Sequence, residues 1–179
     1  RGRFLDAQGT WFVRFAPPAD PLGIEPIRLP PGVPFVLLNE AQAKDDDLSS
    51  PDFDAKKAGY RFQGYRLDKS GVPTFLYRYG RFDIEDRIKP DADRTLVRQL
   101  TIIDRTPGKP AAALWFRGHF GESLKYDGPF AYTNAAGVSM TIPAGLNHTG
   151  ELEARIDGTH WIVPVKVERK KTIEVRYRW

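Results

Sequence analysis

The sequence predicts an all-β protein: an antiparallel β-sandwich, with a barrel-like arrangement as the alternative, and a proline-rich extended arm at the N-terminus. Three observations lead to this prediction. Apolar residues recur with a period of two along most of the chain after residue 58. Turn signals rich in glycine and proline separate these runs at short intervals, and no long window has the period of a helix. A length of 179 residues suits a single domain.

The N-terminal part of the chain is rich in proline and has no helical period. Prolines cluster at 17–21 and 30–34, and each one fixes φ and removes a backbone donor. We therefore expect an extended arm with a short strand at 35–38. A polar, acidic run at 44–51 then predicts a mobile loop. We therefore predict that residues 1–57, which comprise the arm and the loop, pack on the β-sandwich domain that follows.

Residues 58–179 carry the alternating pattern and are predicted to form the β-sandwich core. The last two runs flank the basic turn Arg169-Lys170-Lys171, so we expect them to pair as a hairpin with their aliphatic residues in the core. The predicted strands are 60–67, 75–79, 82–88, 96–103, 112–117, 138–142, 150–156, 161–167 and 173–179.

Composition excludes several classes of protein. The chain has no cysteine, which rules out disulfides, thiolate catalysis and cysteine-ligated metals within it. The net charge of +4 is spread along the chain and interleaved with acids, so we predict no nucleic-acid binding. No apolar run is long enough for a membrane span, and residues 1–6 lack the apolar centre of a signal peptide. No phosphate-binding or nucleophile-elbow motif occurs.

The histidines offer one candidate for acid–base chemistry. The sequence contains three, His119, His148 and His160, and none has a second histidine at ligand spacing. We therefore predict no metal site. His119 is the best candidate of the three because glycines flank it, which predicts an exposed position on a loop.

Three carboxylates, Asp83, Glu85 and Asp86, are candidate catalytic residues of the kind that glycosidases use. Asp83 and Glu85 share a strand face at a spacing of about 7 Å, and a pair of glycosidase carboxylates can work at that distance. Arg81 and Arg87 share that face, however, and basic neighbours would keep both acids ionised. The pattern therefore favours a salt-bridged surface. Asp86 interrupts an apolar row, so it must find donors or an arginine and is interpreted as a structural anchor.

Aromatic residues around Asp127-Gly128-Pro129 suggest a ligand-binding platform. Tyr126, Phe130 and Tyr132 are expected on a loop, where rings can stack on sugars. The four tryptophans, by contrast, include Trp161 and Trp179 in register with aliphatic rows, and these two are predicted to be core residues.

Several stretches resemble one protein family. They are RGRFLDAQGTW at 1–11, FAPP at 15–18, GYRLDKSGVPTFLY at 64–77, FDIEDRI at 82–88 and VRYRW at 175–179. They look similar to a β-rich accessory domain of large multidomain c-type cytochromes and haem-binding proteins of planctomycete-type bacteria. The resemblance implies an exported, periplasmic or extracellular protein whose neighbouring region carries haem or a dehydrogenase module. Because C-x-x-C-H is absent, no cofactor is expected in this segment.

Three functions follow as hypotheses. The first is a non-catalytic accessory or interaction domain that packs against a neighbouring cytochrome c or dehydrogenase module. The second is a carbohydrate-binding module that uses Tyr126, Phe130 and Tyr132. The third is a hydrolase or lyase acting on polysaccharide through Asp83, Glu85, Asp86 or His119. The absence of catalytic motifs favours a domain that is not an enzyme by itself.

Overall fold

In the computed structural model, the strands at 82–91 and 170–178 alternate buried and less buried side chains, as the period of two predicts. The residues that the structure describes are 33–38, 58–93, 95–108, 113–120, 125–128, 131–133, 139–142, 155–157 and 160–178. They form strands and turns, with no helix among them. The predicted arm up to residue 32 and the whole acidic loop at 44–51 lie outside these ranges, as do His148 and Phe130.

The described residues include twelve strands, which are numbered in chain order. They are β1 (Phe35–Leu38), β2 (Tyr60–Leu67), β3 (Pro73–Tyr79), β4 (Phe82–Asp91), β5 (Thr95–Asp104), β6 (Ala113–Phe120), β7 (Lys125–Gly128), β8 (Ala131–Thr133), β9 (Ser139–Thr141), β10 (Arg155–Asp157), β11 (His160–Val165) and β12 (Lys170–Arg178).

Two antiparallel sheets form a β-sandwich, which confirms the predicted fold class. The small sheet has the order β1-β6-β11-β10 and the large sheet the order β2-β3-β4-β5-β12-β9-β8-β7. Neither sheet closes on itself among the described residues, so the barrel-like alternative does not apply. The first four strands of the large sheet form a meander, because each one pairs with the next along the chain.

The predicted hairpin between the last two strands is wrong. β11 pairs with β6 and β10 in the small sheet, whereas β12 pairs with β5 and β9 in the large sheet. Of the basic run 169–171, Arg169 therefore lies just before β12, and Lys170 and Lys171 are the first two residues of that strand in the large sheet. Alternation identifies a strand, but it carries no information on which strand lies beside it.

One hydrophobic core lies between the two sheets. β1, β6 and β11 contribute from the small sheet, and the meander strands with β9 and β12 contribute from the large one. The backbone amide of Leu37 also donates to the hydroxyl of Tyr79 at 3.1 Å, which links β1 to β3. The core side chains include Phe35, Phe82, Ile84, Leu100, Ile102, Leu114, Phe116, Met140, Val163, Val165, Ile173, Val175 and Tyr177.

The strand β6 is buried on both of its faces. Leu114 and Phe116 point into the core, and Trp115 and Arg117 alternate with them, yet all four side chains are buried. Burial lowers the pKa of Arg117 to about 10. The small sheet is therefore covered on its outer side at β6, a feature that simple alternation of buried and exposed residues does not predict.

No helix among the described residues combines the length and hydropathy that a membrane crossing needs.

Candidate functional site

Three large apolar side chains on the edge strand β2 are exposed. Phe62, Tyr65 and Leu67 have relative exposures of 57%, 61% and 59%, and no other large hydrophobic residue among those whose side-chain burial the structure describes is exposed to this degree. We call these three residues the edge face. Contiguous exposed apolar groups mark binding surfaces more often than single ones do.

A β-bulge places all three side chains on one face of the sheet. Phe62 is the Cα partner of Tyr77, and after the bulge Tyr65 is the Cα partner of Phe75. Without the extra residue, a spacing of three would put Phe62 and Tyr65 on opposite faces. Gly64, within the bulge, has a φ of 120°, a region that favours glycine. This glycine is the sequence signal that could have revealed the edge face.

Half-buried aromatic rings on β3 support the edge face from behind. The rings of Phe62 and Tyr77 have centroids 5.6 Å apart, and those of Tyr65 and Phe75 are 6.3 Å apart. Tyr77 in turn contacts the buried ring of Tyr60 at 4.8 Å. Packing of this kind restricts the rotamers of the exposed rings and lowers the entropy cost of binding.

A buried ion pair lies further along the same inner face. The Arg98 guanidinium donates to the two carboxylate oxygens of Asp86 at 3.0 and 2.6 Å, and the two side chains are only 10% and 8% exposed. Burial alone lowers the pKa of Arg98, but the Asp86 carboxylate outweighs this effect and the pKa is raised. Asp86 is therefore paired with an arginine, as predicted, and that arginine lies on β5.

Buried tyrosines surround this ion pair. Burial raises the pKa of Tyr60 well above its ordinary value of 10.0, and the nearby Asp86 carboxylate raises it further. Burial also raises the pKa of Tyr177, although the Arg98 cation acts in the opposite direction. The Tyr60 hydroxyl is buried without a hydrogen-bond partner among the described residues.

We expect the protein to lose stability as the pH rises above about 10. In that range the unfolded chain releases the Tyr60 proton while the folded chain keeps it, so the free energy of unfolding falls with pH. Tyr60→Phe should reduce this alkaline loss. Near neutral pH it should leave stability equal or higher, because an unpaired buried hydroxyl costs about 1–3 kcal/mol.

Urea unfolding at a series of pH values measures this effect. Tyr65→Phe is the matched control, because it removes the same hydroxyl group from an exposed ring on the same strand. If the free energy of unfolding falls equally with pH in wild type and Tyr60→Phe, the alkaline loss does not come from Tyr60.

The carboxylates of the outer face are held in ion pairs. Glu85 accepts two hydrogen bonds from Arg66, at 2.9 and 2.7 Å. Asp83 accepts one from Arg78 at 2.9 Å, and Arg105 lies 3.9 Å from its other oxygen. The predicted salt-bridged face is therefore present.

The arginines that share the β4 face in the sequence have other partners. Arg81 pairs with Asp104 at 2.5 Å, and Arg87 pairs with Asp68 in the turn after β2. Asp86 points to the opposite face of the sheet from Asp83 and Glu85. The three acids therefore do not face one another across a single site, although Asp83 and Glu85 share the outer face.

Three of the other predicted site residues lie in strands, and Phe130 is outside the described ranges. His119 is in β6, in a stretch where the pairing register with β11 shifts between Arg117 and Phe120. Tyr126 and Tyr132 lie in β7 and β8 and are Cα partners. His160 is the Cα partner of Phe120. Within the described ranges, no group of three or more histidine, aspartate or glutamate side chains is placed to hold a metal ion.

Comparison with known proteins adds no identification. The chain matches no family model, and it shows no significant match to a curated protein or to a solved structure.

Proposed function

We propose that this chain is a non-catalytic accessory domain that binds another protein module through the edge face of β2. The observation that carries the proposal is the exposure of Phe62, Tyr65 and Leu67 on one side of a rigid sheet edge. A few side chains supply most of the binding energy at a protein interface, and tyrosine is enriched among them. We propose no catalytic role for the paired carboxylates of β4.

The resemblance to haem-associated bacterial domains supports a wider context. In that context the domain belongs to an exported multidomain haem protein or dehydrogenase-type system, located in the periplasm or outside the cell. The partner is then a neighbouring cytochrome c or dehydrogenase module, and any haem lies in that neighbour. We propose neither a cofactor in this segment nor binding of nucleic acid. A C-x-x-C-H motif encoded close to these residues would support this context, and its absence on both sides would contradict it.

We expect Phe62→Ala and Tyr65→Ala each to weaken association with the adjoining module by about tenfold or more. Each ring is more than half exposed, so its removal takes little buried area from the fold. The free energy of unfolding should change by less than about 1 kcal/mol. Titration calorimetry with the separately expressed module measures the first quantity, and urea unfolding measures the second.

Gln63→Ala is the matched control for this experiment. Gln63 is exposed on the same strand, and its amide contacts only the neighbouring carbonyls of Arg61 and Phe62 at 3.5 Å. Its removal should leave the affinity for the module unchanged. If the two aromatic variants bind the module as tightly as wild type does, the edge face is not the contact surface.

Carbohydrate binding is a second candidate function. The register of β7 and β8 supports it, because Tyr126 and Tyr132 are Cα partners at the far edge of the large sheet. Affinity electrophoresis against a panel of polysaccharides tests this alternative. Retarded migration that the double variant Tyr126→Ala/Tyr132→Ala abolishes would favour it over a protein partner.

A further inference from the structure

We infer that the edge strand β2 accepts an extended strand of a partner protein, with apolar side chains on one face of that strand and a carboxylate beside Arg61 on the other. This inference rests on the proposed function and specifies the chemistry of the partner. It follows from the outer backbone edge of β2, with which no described strand pairs, from the division of its side chains between two faces, and from an excess of positive charge in one cross-strand row.

The outer backbone edge of β2 has no strand beside it in the part of the chain that the structure describes. The strand stands first in the order of the large sheet, and among the described residues it pairs only with β3. Its outer N–H and C=O groups therefore have no strand partner in those ranges. An unpaired strand edge is a template for main-chain hydrogen bonds with an incoming extended segment.

The two faces of β2 present different chemistry to such a segment. The edge face lies on the inner side of the sheet, and Arg61 and Arg66 lie on the outer side. A strand that continues the sheet places its own side chains beside those of β2, row by row. Apolar residues would then lie beside Phe62 and Tyr65, and the alternate positions would lie beside the arginines.

The charge of one row on the outer face is unbalanced. Arg61 is the Cα partner of Arg78, which is the Cα partner of Asp83. Arg78 and Arg105 both contact that single carboxylate, whereas Arg61 makes no ion pair within the described ranges. A carboxylate on an added strand, placed beside Arg61, would balance the excess of positive charge in this row. Opposite charges in neighbouring positions stabilise a sheet, and like charges destabilise it.

The remaining arginines do not require the same neighbour. Arg66 is paired with Glu85, and Arg87 is paired with Asp68. The structure therefore locates the requirement for an acidic residue at one position of the partner strand, beside Arg61.

A second copy of this chain is a poor occupant of the edge. Two β2 strands paired antiparallel so that Phe62 meets Tyr65 would also place Arg61 opposite Arg66. The two cations would then repel each other across the interface. The bulge adds a local twist that disfavours such symmetric pairing. An acidic strand from a different protein avoids this repulsion.

Synthetic peptides test the inference on the full 179-residue chain. The first probe is a fluorescent peptide of alternating valine and glutamate, and the second replaces each glutamate by lysine. We expect the glutamate peptide to bind at least about tenfold more tightly at low salt, with a ratio that falls as the salt concentration rises. A third probe carries N-methyl groups on alternate amides of the glutamate peptide and should not bind, because it cannot form the ladder.

Variants assign the effect to β2. Arg61→Glu should reverse the preference between the glutamate and lysine peptides. Lys89→Glu is the matched control, since it makes the same charge change at an exposed site on β4 and should leave the preference intact. Phe62→Ala should weaken the binding of both peptides.

Several results would overturn the inference. Equal binding of the two charged peptides, binding of the N-methylated peptide, or a preference that Arg61→Glu does not alter would each do so. Self-association that Phe62→Ala abolishes in sedimentation velocity would show that a second copy occupies the edge. If these peptide experiments fail while Phe62→Ala still weakens association with the adjoining module, strand addition is wrong and the proposed function stands.

Discussion

Ile173→Asp is expected to lower the free energy of unfolding by at least about 4 kcal/mol. Ile173 lies in the middle of β12, is 2% exposed and belongs to the hydrophobic core. Its Cα partner is Leu100, whose partner on the next strand is Asp86. A new carboxylate at this position would be buried among apolar groups, and the nearest acid in its row would repel it. Guanidinium unfolding followed by circular dichroism measures the change.

Thr172→Asp provides the matched control because it introduces the same charge one residue earlier. Thr172 is exposed on the outer face, where its hydroxyl contacts that of Thr101 at 3.2 Å. Its replacement should change the free energy of unfolding by less than about 1 kcal/mol. Similar costs for the two variants would mean that the register of β12 is wrong. Val175 is a less suitable probe, because its Cα partner Arg98 would partly compensate a carboxylate.

The alternating pattern was enough to predict the class of fold and most of the strands. Every side chain in the middle of β4 alternates as predicted, with Phe82 and Ile84 buried and Asp83 and Glu85 half-buried. The period of two reflects burial on one face of a sheet, and burial depends only on local geometry. Glycine and proline then mark the turns for equally local reasons.

Strand partners were much harder to predict than strands. β12 pairs with β5 over its whole length, from Lys170 opposite Ile103 to Arg178 opposite Thr95. The two strands are far apart in the chain, and nothing in either local pattern specifies the other. The proximity of β11 in the sequence favoured the wrong hairpin, because short loops usually connect neighbouring strands.

The candidate site was partly predictable from the sequence. Asp86 could be assigned an anchoring role because a carboxylate in an apolar row must be paired. Its partner Arg98 could not be found without the register, since Arg98 is the Cα partner of Ile88 and reaches Asp86 diagonally. The alternating pattern does not predict the edge face, because strict alternation puts Phe62 and Tyr65 on opposite faces of the strand. A glycine inside a strand pattern is the signal for a bulge that brings them together.

Removing one partner of the buried ion pair is the second change with a large expected effect. Asp86→Ala should lower the free energy of unfolding by about 3–5 kcal/mol, because it leaves the Arg98 cation in the core without its carboxylate. The two side chains are 8% and 10% exposed, so water cannot easily replace the lost contact. Urea unfolding measures the cost, and circular dichroism of the folded variant checks that the sheets persist.

The double variant Asp86→Leu/Arg98→Met separates the cost of an orphaned charge from the value of the pair itself. Hydrophobic replacement of a buried pair is often neutral or stabilising, so the double variant should be within about 1 kcal/mol of wild type or more stable. Asp86 is the Cα partner of Phe75, which in turn contacts the ring of Tyr65. If the pair serves only to anchor the core, the double variant should bind the adjoining module as wild type does. If the double variant is as stable as wild type but no longer binds the module, the ion pair instead positions the edge face. If Asp86→Ala lowers the free energy of unfolding by less than about 1 kcal/mol, the Arg98 guanidinium still reaches water.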